Sequence, residues 1–191
     1  MGVSEGDVMK MFKKKWYLLG FIIMLLVSLS AIFLLLQRET YSKIMDLHIE
    51  QLREKENIEV LDVVKNNDLE EPFAFVSYRQ RQKIGAYVVR VINERLEYGI
   101  NIKNSVDPSK PVQVYGSRTG FPMLMVQIND DNLLSEGTYI YVTFNQEKWH
   151  RLDMEKLKRN YIISGDYGEA SIGRSSVQIY NGNHEMIFES G

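Results

Sequence analysis

The stretch RQRQKIGAYVVRVINERLEYG, residues Arg79 to Gly99, decides between a helical and a sheet interpretation of the middle of the chain. Its apolar residues recur at the three- and four-residue spacing of an amphipathic helix, and Gly99 stands where such a helix would end. They are Ile84, Tyr87, Val88, Val91, Ile92 and Leu96. The spacing predicts a helix of about five turns. A strand interpretation is the alternative, because Gly85 weakens a helix and valines favour a sheet.

Short runs rich in β-branched and aromatic residues surround this segment and predict strands. They are IEVLDVV from Ile58, PFAFVSY from Pro72, VQVYG from Val112, MLMVQI from Met123, TYIYVTF from Thr138, VQIY from Val177 and EMIF from Glu185. TYIYVTF is apolar on both faces, which predicts a central strand covered by helices. Asn181-Gly182 predicts a hairpin between the last two runs, because both residues accept positive φ.

A short helix is predicted at Asp153 to Arg159, where Asp153 can cap the first turn and Leu152 and Leu157 stand at the positions of a hydrophobic staple. These elements together predict an α+β domain. It would have a mostly antiparallel sheet with one long and one short helix.

A run of 21 residues without a charge, Trp16 to Leu36, predicts an N-terminal transmembrane helix. A helix of that length rises about 31 Å, which matches the roughly 30 Å hydrocarbon core of a bilayer. Lysines before the run place the N-terminus in the cytoplasm, and aromatic rings at its start favour the inner interface. The predicted anchor residues are Lys13, Lys14, Lys15, Trp16 and Tyr17. A cleaved signal peptide is the alternative, with Ser28-Leu29-Ser30 as its cleavage site.

The sequence after the apolar run predicts a short helical stalk with Tyr41, Met45, Ile49 and Leu52 on one face. Self-association through this stalk is a further expectation. The predicted organisation is a cytoplasmic tail at 1–15, a transmembrane helix at 16–36, a stalk at 37–57 and an extracytoplasmic α+β domain at 58–191.

Composition excludes several kinds of chemistry. There is no cysteine, which removes disulfides, thiolate metal sites and cysteine nucleophiles. The absence of cysteine and of Asn-x-Ser/Thr acceptors favours a bacterial envelope protein. The net charge of −2 gives no reason to predict nucleic acid as a partner.

The sequence evidence for catalytic or metal-binding residues is weak. His48, His150 and His184 are too far apart in sequence to predict a metal site. GEASIG, residues 168–173, is one residue too long for a nucleophile elbow and is interpreted as a turn entering a strand. Asp130-Asp131-Asn132 with Glu136 lacks the spacing of a calcium loop and predicts a capped turn. Asp166 and Glu169 are the acidic pair to consider for glycoside hydrolysis, with solvated turn residues as the alternative.

The sequence predicts one binding feature. Arg79, Lys83 and Arg90 would share a face of the long helix and contact an anionic surface, either lipid headgroups or wall polymers. A solvated helix face is the alternative interpretation.

The expected function is a non-enzymatic binding or assembly domain displayed outside a bacterial cell membrane by a single-pass anchor. Its expected partners are the lipid bilayer and an envelope protein, with no cofactor. Two alternatives stay open. One is a sensory or regulatory subunit that acts through a membrane partner, and the other is an anchored cell-wall hydrolase.

Overall fold

The computed structural model describes residues 16, 21–30, 39–117, 121–144, 148–166 and 175–190, and the chain divides into two units, Met1–Thr40 and Tyr41–Gly191. In the first unit, residues 21–30 form helix α1. Its two serines hydrogen-bond to carbonyl oxygens one turn earlier, Ser28 to Met24 at 2.9 Å and Ser30 to Leu26 at 2.8 Å. The polar atoms of these serines are therefore satisfied within the helix itself.

The predicted transmembrane helix requires a correction. Among the residues that the structure describes, no helix is both long and apolar enough to cross a membrane. Residues 17–20 and 31–36 of the predicted span lie outside the described residues, as do Lys13, Lys14 and Lys15.

The second unit holds twelve strands and two helices within its described residues. Sheet A contains β1 (Tyr41–Ser42), β2 (Glu59–Asn66), β3 (Phe73–Gln80), β4 (Lys83–Ile92) and β5 (Arg95–Ser105). Sheet B contains β6 (Val112–Ser117), β7 (Met123–Ile128) and β10 (Asn160–Ser164). Sheet C contains β8 (Gly137–Thr143), β9 (Trp149–Asp153), β11 (Ser176–Asn181) and β12 (Met186–Ser190). The helices are α2 (Asp46–Glu56) and α3 (Asp131–Glu136).

All strand pairings within these sheets are antiparallel. The spatial order is β5-β4-β3-β2 in sheet A, β10-β7-β6 in sheet B and β12-β11-β8-β9 in sheet C. The short strand β1 pairs with the end of β4, with Tyr41 opposite Ile92, on the side that β3 occupies further along.

Three hydrophobic clusters stack the elements into layers. Helix α2 packs Ile49 and Leu52 onto one face of sheet A. The other face of sheet A meets Met123, Met125 and Ile162 of sheet B. The opposite face of sheet B packs against sheet C. The order of layers is therefore α2, sheet A, sheet B and sheet C, with sheet B covered on both faces.

The predicted long helix at Arg79 to Gly99 is wrong, because this segment forms two consecutive β-hairpins. Asn93 and Glu94 have φ of 50° and 64°, which a two-residue hairpin turn with positive φ at both positions requires. A Cβ at Gly85 would lie 2.3 Å from the carbonyl oxygen of Ile102 and 2.7 Å from the Tyr78 hydroxyl, so only glycine permits this strand spacing. The domain is mostly β rather than α+β.

Two further helix predictions are corrected. The segment from Asp153 to Arg159 ends β9 and continues as a turn in which Leu157 has φ of 68° and is 77% exposed, so no hydrophobic staple forms. The predicted stalk contains β1 and α2, and Ile49 and Leu52 are buried against sheet A. Two residues of the predicted stalk face, Ile49 and Leu52, are thus buried within the chain, whereas Met45 is 55% exposed.

The strand predictions outside Arg79 to Gly99 are confirmed, with changes of detail. β11 and β12 form the predicted hairpin, but the positive φ falls on His184 rather than on Asn181-Gly182. β8 is central in sheet C as expected, yet its outer face carries tyrosines instead of a covering helix. Asp130 caps α3, accepting hydrogen bonds from the backbone amides of Asn132 and Leu133.

Candidate binding surfaces

An open groove of about 1050 Å³ lies between the end of α2 and the tip of the β3–β4 hairpin. We call it the hairpin groove. It is lined by Asn57, Ile58, Glu59, Arg79, Gln80, Arg81, Gln82, Lys83 and Lys103. Most of these side chains are polar, so the groove suits a hydrophilic ligand.

Backbone and amide contacts fix the two walls of the hairpin groove. Asn57 adopts a left-handed conformation that ends α2, and the amide of Ile58 donates to the carbonyl oxygen of Arg53 at 3.2 Å. The Gln80 side chain donates from Nε2 to the carbonyl oxygen of Glu56 at 2.9 Å. The helix end and the hairpin are therefore joined by a hydrogen bond that does not involve the cationic side chains.

The charge of the hairpin groove is positive. Arg79 pairs with Glu59 through an Nη1 to Oε2 distance of 3.2 Å. Within the described part of the chain, no carboxylate pairs with Arg81, Lys83 or Lys103, and all three are exposed. Four cations against one carboxylate give the lining a net charge of +3.

The structure brings together two of the three predicted cationic residues. Arg79 and Lys83 flank the same hairpin tip, but Arg90 lies six residues beyond Ile84 on β4. At about 3.3 Å per strand residue this separates Arg90 from the tip by about 20 Å. There Arg90 faces Glu97 across the β4–β5 pairing, in a separate recess of about 250 Å³.

Two cations of the hairpin groove were missed by the sequence prediction. Arg81 lies within the same basic run, and its φ of 58° turns the hairpin. Lys103 comes from β5, where it pairs with Gly85 on the same face as Lys83. The helix prediction missed the proximity of Lys103 to Lys83, because a helix from Arg79 to Gly99 leaves Lys103 without a strand to pair with.

The outer face of sheet C carries a cluster of aromatic rings, Tyr139, Tyr141, Trp149 and Tyr180, which we call the aromatic face. Tyr139 stacks on Tyr180 with ring centroids 5.2 Å apart and an interplanar angle of 10°. Tyr141 meets Tyr180 edge-on at 5.6 Å and Trp149 edge-on at 6.4 Å. The rings thus form one contiguous cluster across β9, β8 and β11, in which Tyr139 is only 5% exposed.

Polar side chains surround the aromatic face. Tyr141, Trp149, Tyr180 and Gln178 line a recess of about 480 Å³. Arg151 lies over the Tyr139 ring, 4.3 Å from its centroid, and donates to Asp153 Oδ1 from Nε at 3.0 Å and Nη2 at 2.9 Å. The hydroxyl of Tyr139 is hydrogen-bonded to His184 Nδ1 at 3.0 Å.

The candidate acidic pair is only half described. Asp166 pairs with Lys148, and this hydrogen bond lowers the pKa of the carboxyl group, the opposite of the raised pKa that suits a general acid at neutral pH. Glu169 and the GEASIG segment lie outside the described residues. Asp131, from the candidate calcium loop, pairs with Arg159.

The three histidines have separate surroundings. His48 Nδ1 accepts from the backbone amide of Met45 at the start of α2, His150 lies against Phe144, and His184 contacts Tyr139. In the described ranges, no group of histidine, aspartate and glutamate residues is arranged to hold a metal ion. Comparisons of the chain with protein-family models, curated proteins and solved structures found no match.

Proposed function

We propose that this chain is a non-enzymatic binding module of the bacterial cell envelope, attached to the cell membrane by its apolar N-terminal segment, and that its hairpin groove binds phosphate-rich anionic polymer or headgroups. The observation that carries the proposal is the group of three exposed, unpaired cations at the β3–β4 hairpin, Arg81, Lys83 and Lys103. Unpaired cations attract a polyanion without first having to release an internal partner.

The polar lining of the hairpin groove supports a polymeric or surface-bound ligand over a small apolar one. Gln82 adds an exposed amide between Arg81 and Lys83, and Arg79 adds a guanidinium that fits phosphate geometry. Arg81, Gln82, Lys83 and Lys103 are all exposed at this groove, so a chain or a headgroup layer has access to them.

The apolar N-terminal segment supports attachment to the membrane. Large apolar side chains in residues 21–30 are exposed, with Phe21 at 65%, Met24 at 71% and Val27 at 63%. Exposed apolar surface on this scale favours insertion into lipid. Lysines precede the segment in the sequence, which favours a cytoplasmic N-terminus and an extracytoplasmic β domain.

The test uses the full chain, recovered from the membrane fraction and reconstituted into nanodiscs of uncharged lipid. Binding of soluble inorganic polyphosphate is then measured over a range of salt concentrations, and binding of phosphatidylglycerol vesicles is measured in parallel. Binding of polyphosphate tests for recognition of a free anionic polymer, and binding of vesicles tests for recognition of lipid headgroups. We expect saturable binding in at least one arm that weakens as salt rises.

The decisive variant replaces Arg81, Lys83 and Lys103 with Gln. At about 1 kcal/mol for each cation near an anionic surface, binding should weaken on the order of 100-fold. The matched control replaces Arg95, Lys110 and Lys156, one arginine and two lysines that are exposed outside the groove. Equal weakening by the two triple variants, or no binding in either arm, would contradict the proposed ligand. A chain that stays soluble after cell fractionation would contradict the membrane attachment.

A further inference from the structure

The aromatic face exposes large rings beside hydrogen-bonding groups. Trp149 is 40% exposed at the edge strand β9, and Tyr141 and Tyr180 are partly exposed on β8 and β11. Stacking between Tyr139 and Tyr180 stabilises the sheet, as cross-strand aromatic pairs do. It does not account for an exposed indole beside an open recess.

The recess is preorganised. Gln178 lies opposite Tyr141, and its side chain is fixed from both ends: Oε1 accepts from the Tyr180 hydroxyl at 3.0 Å, and Nε2 donates to Glu189 at 2.8 Å. Because these side chains are already ordered, a ligand would lose little additional protein entropy on binding. The rings also contribute contact area with few rotatable bonds.

Two ion pairs lie around the recess, Arg151 with Asp153 and Lys148 with Asp166. Glu189, which accepts the hydrogen bond from Gln178, adds one negative charge. No unpaired cation among the described residues lines the recess, so a polyanion finds no electrostatic partner there. This is the opposite of the hairpin groove, and it disfavours an anionic ligand.

The hydrogen-bonding capacity of the recess suits hydroxyl groups. The Tyr180 hydroxyl donates to Gln178 and keeps its lone pairs as acceptors, and the Tyr141 hydroxyl has no hydrogen-bond partner in the described part of the chain. A pyranose ring presents a face of C–H groups that packs on an aromatic ring, with hydroxyls at its edge. Flat rings flanked by an amide and phenols match both features.

We propose that the recess bounded by Tyr141, Trp149, Gln178 and Tyr180 binds an uncharged pyranose oligosaccharide, such as a stretch of envelope glycan. Trp149 and Tyr141 contact the apolar face of the sugar, and Tyr180 and Gln178 orient the hydroxyls at its edge. The cavity of about 480 Å³ lies within the range of ordinary small-ligand sites. This inference is independent of the hairpin groove, since the two surfaces share no residue.

The test uses the full chain in a detergent without a sugar headgroup, because a glycoside detergent would compete for the recess. The chain has two tryptophans, so Trp16→Phe leaves Trp149 as the only indole. Chitotetraose and cellotetraose are titrated in turn. We expect a saturable shift of the Trp149 emission to shorter wavelength with at least one of them, because a bound sugar removes water from the indole.

Calorimetry on further variants assigns the contact. Trp149→Ala should weaken oligosaccharide binding at least tenfold and Gln178→Ala severalfold, whereas Leu157→Ala, exposed in the turn after β9, should leave it unchanged. Circular dichroism and the thermal midpoint verify that each variant is folded. The proposal is overturned if neither oligosaccharide gives a saturable signal, if Trp149→Ala binds as well as the parent chain, or if the aromatic face captures a protein and no sugar.

Discussion

Sheets B and C pack against each other through one hydrophobic cluster, but the other face of sheet B is covered by sheet A, whereas the other face of sheet C carries the aromatic face. In β7 all six residues are buried, because sheet A covers one face and sheet C the other. In β8 only the face with Ile140 and Val142 enters the cluster, and the opposite face holds the tyrosines of the aromatic face. An apolar strand in this domain can therefore be buried on both faces, as β7 is, or buried on one face and partly exposed on the other, as β8 is.

The largest expected effect separates these two roles directly. Leu124→Ala removes a side chain that is 3% exposed in the cluster between sheets B and C, and should lower the free energy of unfolding by about 2–5 kcal/mol. Trp149→Ala removes a larger but partly exposed side chain and should cost about 1 kcal/mol or less. Urea unfolding followed by circular dichroism measures both. Equal losses would mean that the aromatic face acts as core, and the contrast between the sheets would disappear.

A second feature is the junction between the edge of sheet B and sheet A. At β10, the edge of sheet B, Asp62 of sheet A accepts from the backbone amide of Ile162 at 2.8 Å and pairs with Lys158 Nζ at 2.9 Å. The register shift in β2 between Val60 and Asp62 marks the irregularity beside this side chain, which is only 12% exposed. The bulge in β2 thus orients the Asp62 carboxylate toward β10, where it joins sheet A to sheet B.

Asp62→Ala should lower the free energy of unfolding by about 1–3 kcal/mol, because it leaves a buried amide without an acceptor. Asp62→Asn keeps one acceptor oxygen for Ile162 and should cost less than the alanine variant. The control is Asp153→Ala in sheet C, whose exposed pair with Arg151 should contribute at most about 1 kcal/mol. Urea midpoints compare the three variants. If Asp62→Ala matches the control, the carboxylate does not hold sheet A to sheet B.

The sequence identifies strands well where one short apolar run bounded by turn residues fills one strand, as in MLMVQI and VQIY. It fails at Arg79 to Gly99, because β4 is largely buried on both faces, and its apolar residues together with Leu96 of β5 also match a three- and four-residue spacing. The turn at Asn93 and Glu94 lacks the glycine that usually marks a hairpin, so no local signal divides the run. Gly85 and the valines were the available evidence for strands.

The binding surfaces were harder to predict than the strands. Arg79 and Lys83 remain neighbours because a hairpin tip joins them, whereas Arg90 is separated from them by the larger rise of a strand, about 3.3 Å per residue against 1.5 Å in a helix. Tyr139 and Tyr141 appeared as residues of a covered strand. Which tyrosine is enclosed and which is open depends on sheets packed from distant parts of the chain, and tyrosine is suited to both environments.

The smallest expected effect compares an enclosed with an open tyrosine. The Tyr161 hydroxyl accepts from the backbone amide of Glu155 at 3.1 Å and can donate to its carbonyl oxygen at 3.2 Å, in the cluster between sheets B and C. Burial raises the pKa of Tyr161 above its usual value. Among the described residues, the Tyr180 hydroxyl hydrogen-bonds only to Gln178, on the aromatic face. Tyr161→Phe should therefore cost about 1 kcal/mol at pH 7, and Tyr180→Phe about half as much or less.

The pH dependence sharpens this last comparison. A phenol whose pKa is raised by folding stabilises the native state fully below pH 10, its usual value, and this stabilisation is lost as the pH rises through the folded value. Burial raises the pKa of Tyr87 and Tyr115 in the same direction, so the parent chain should lose stability as the pH rises above 10. Tyr161→Phe should reduce that loss without abolishing it. Urea unfolding at pH 8 and at pH 11 measures the difference, and an alkaline loss identical in the variant and the parent would show that water reaches Tyr161 and that the cluster between sheets B and C is open there.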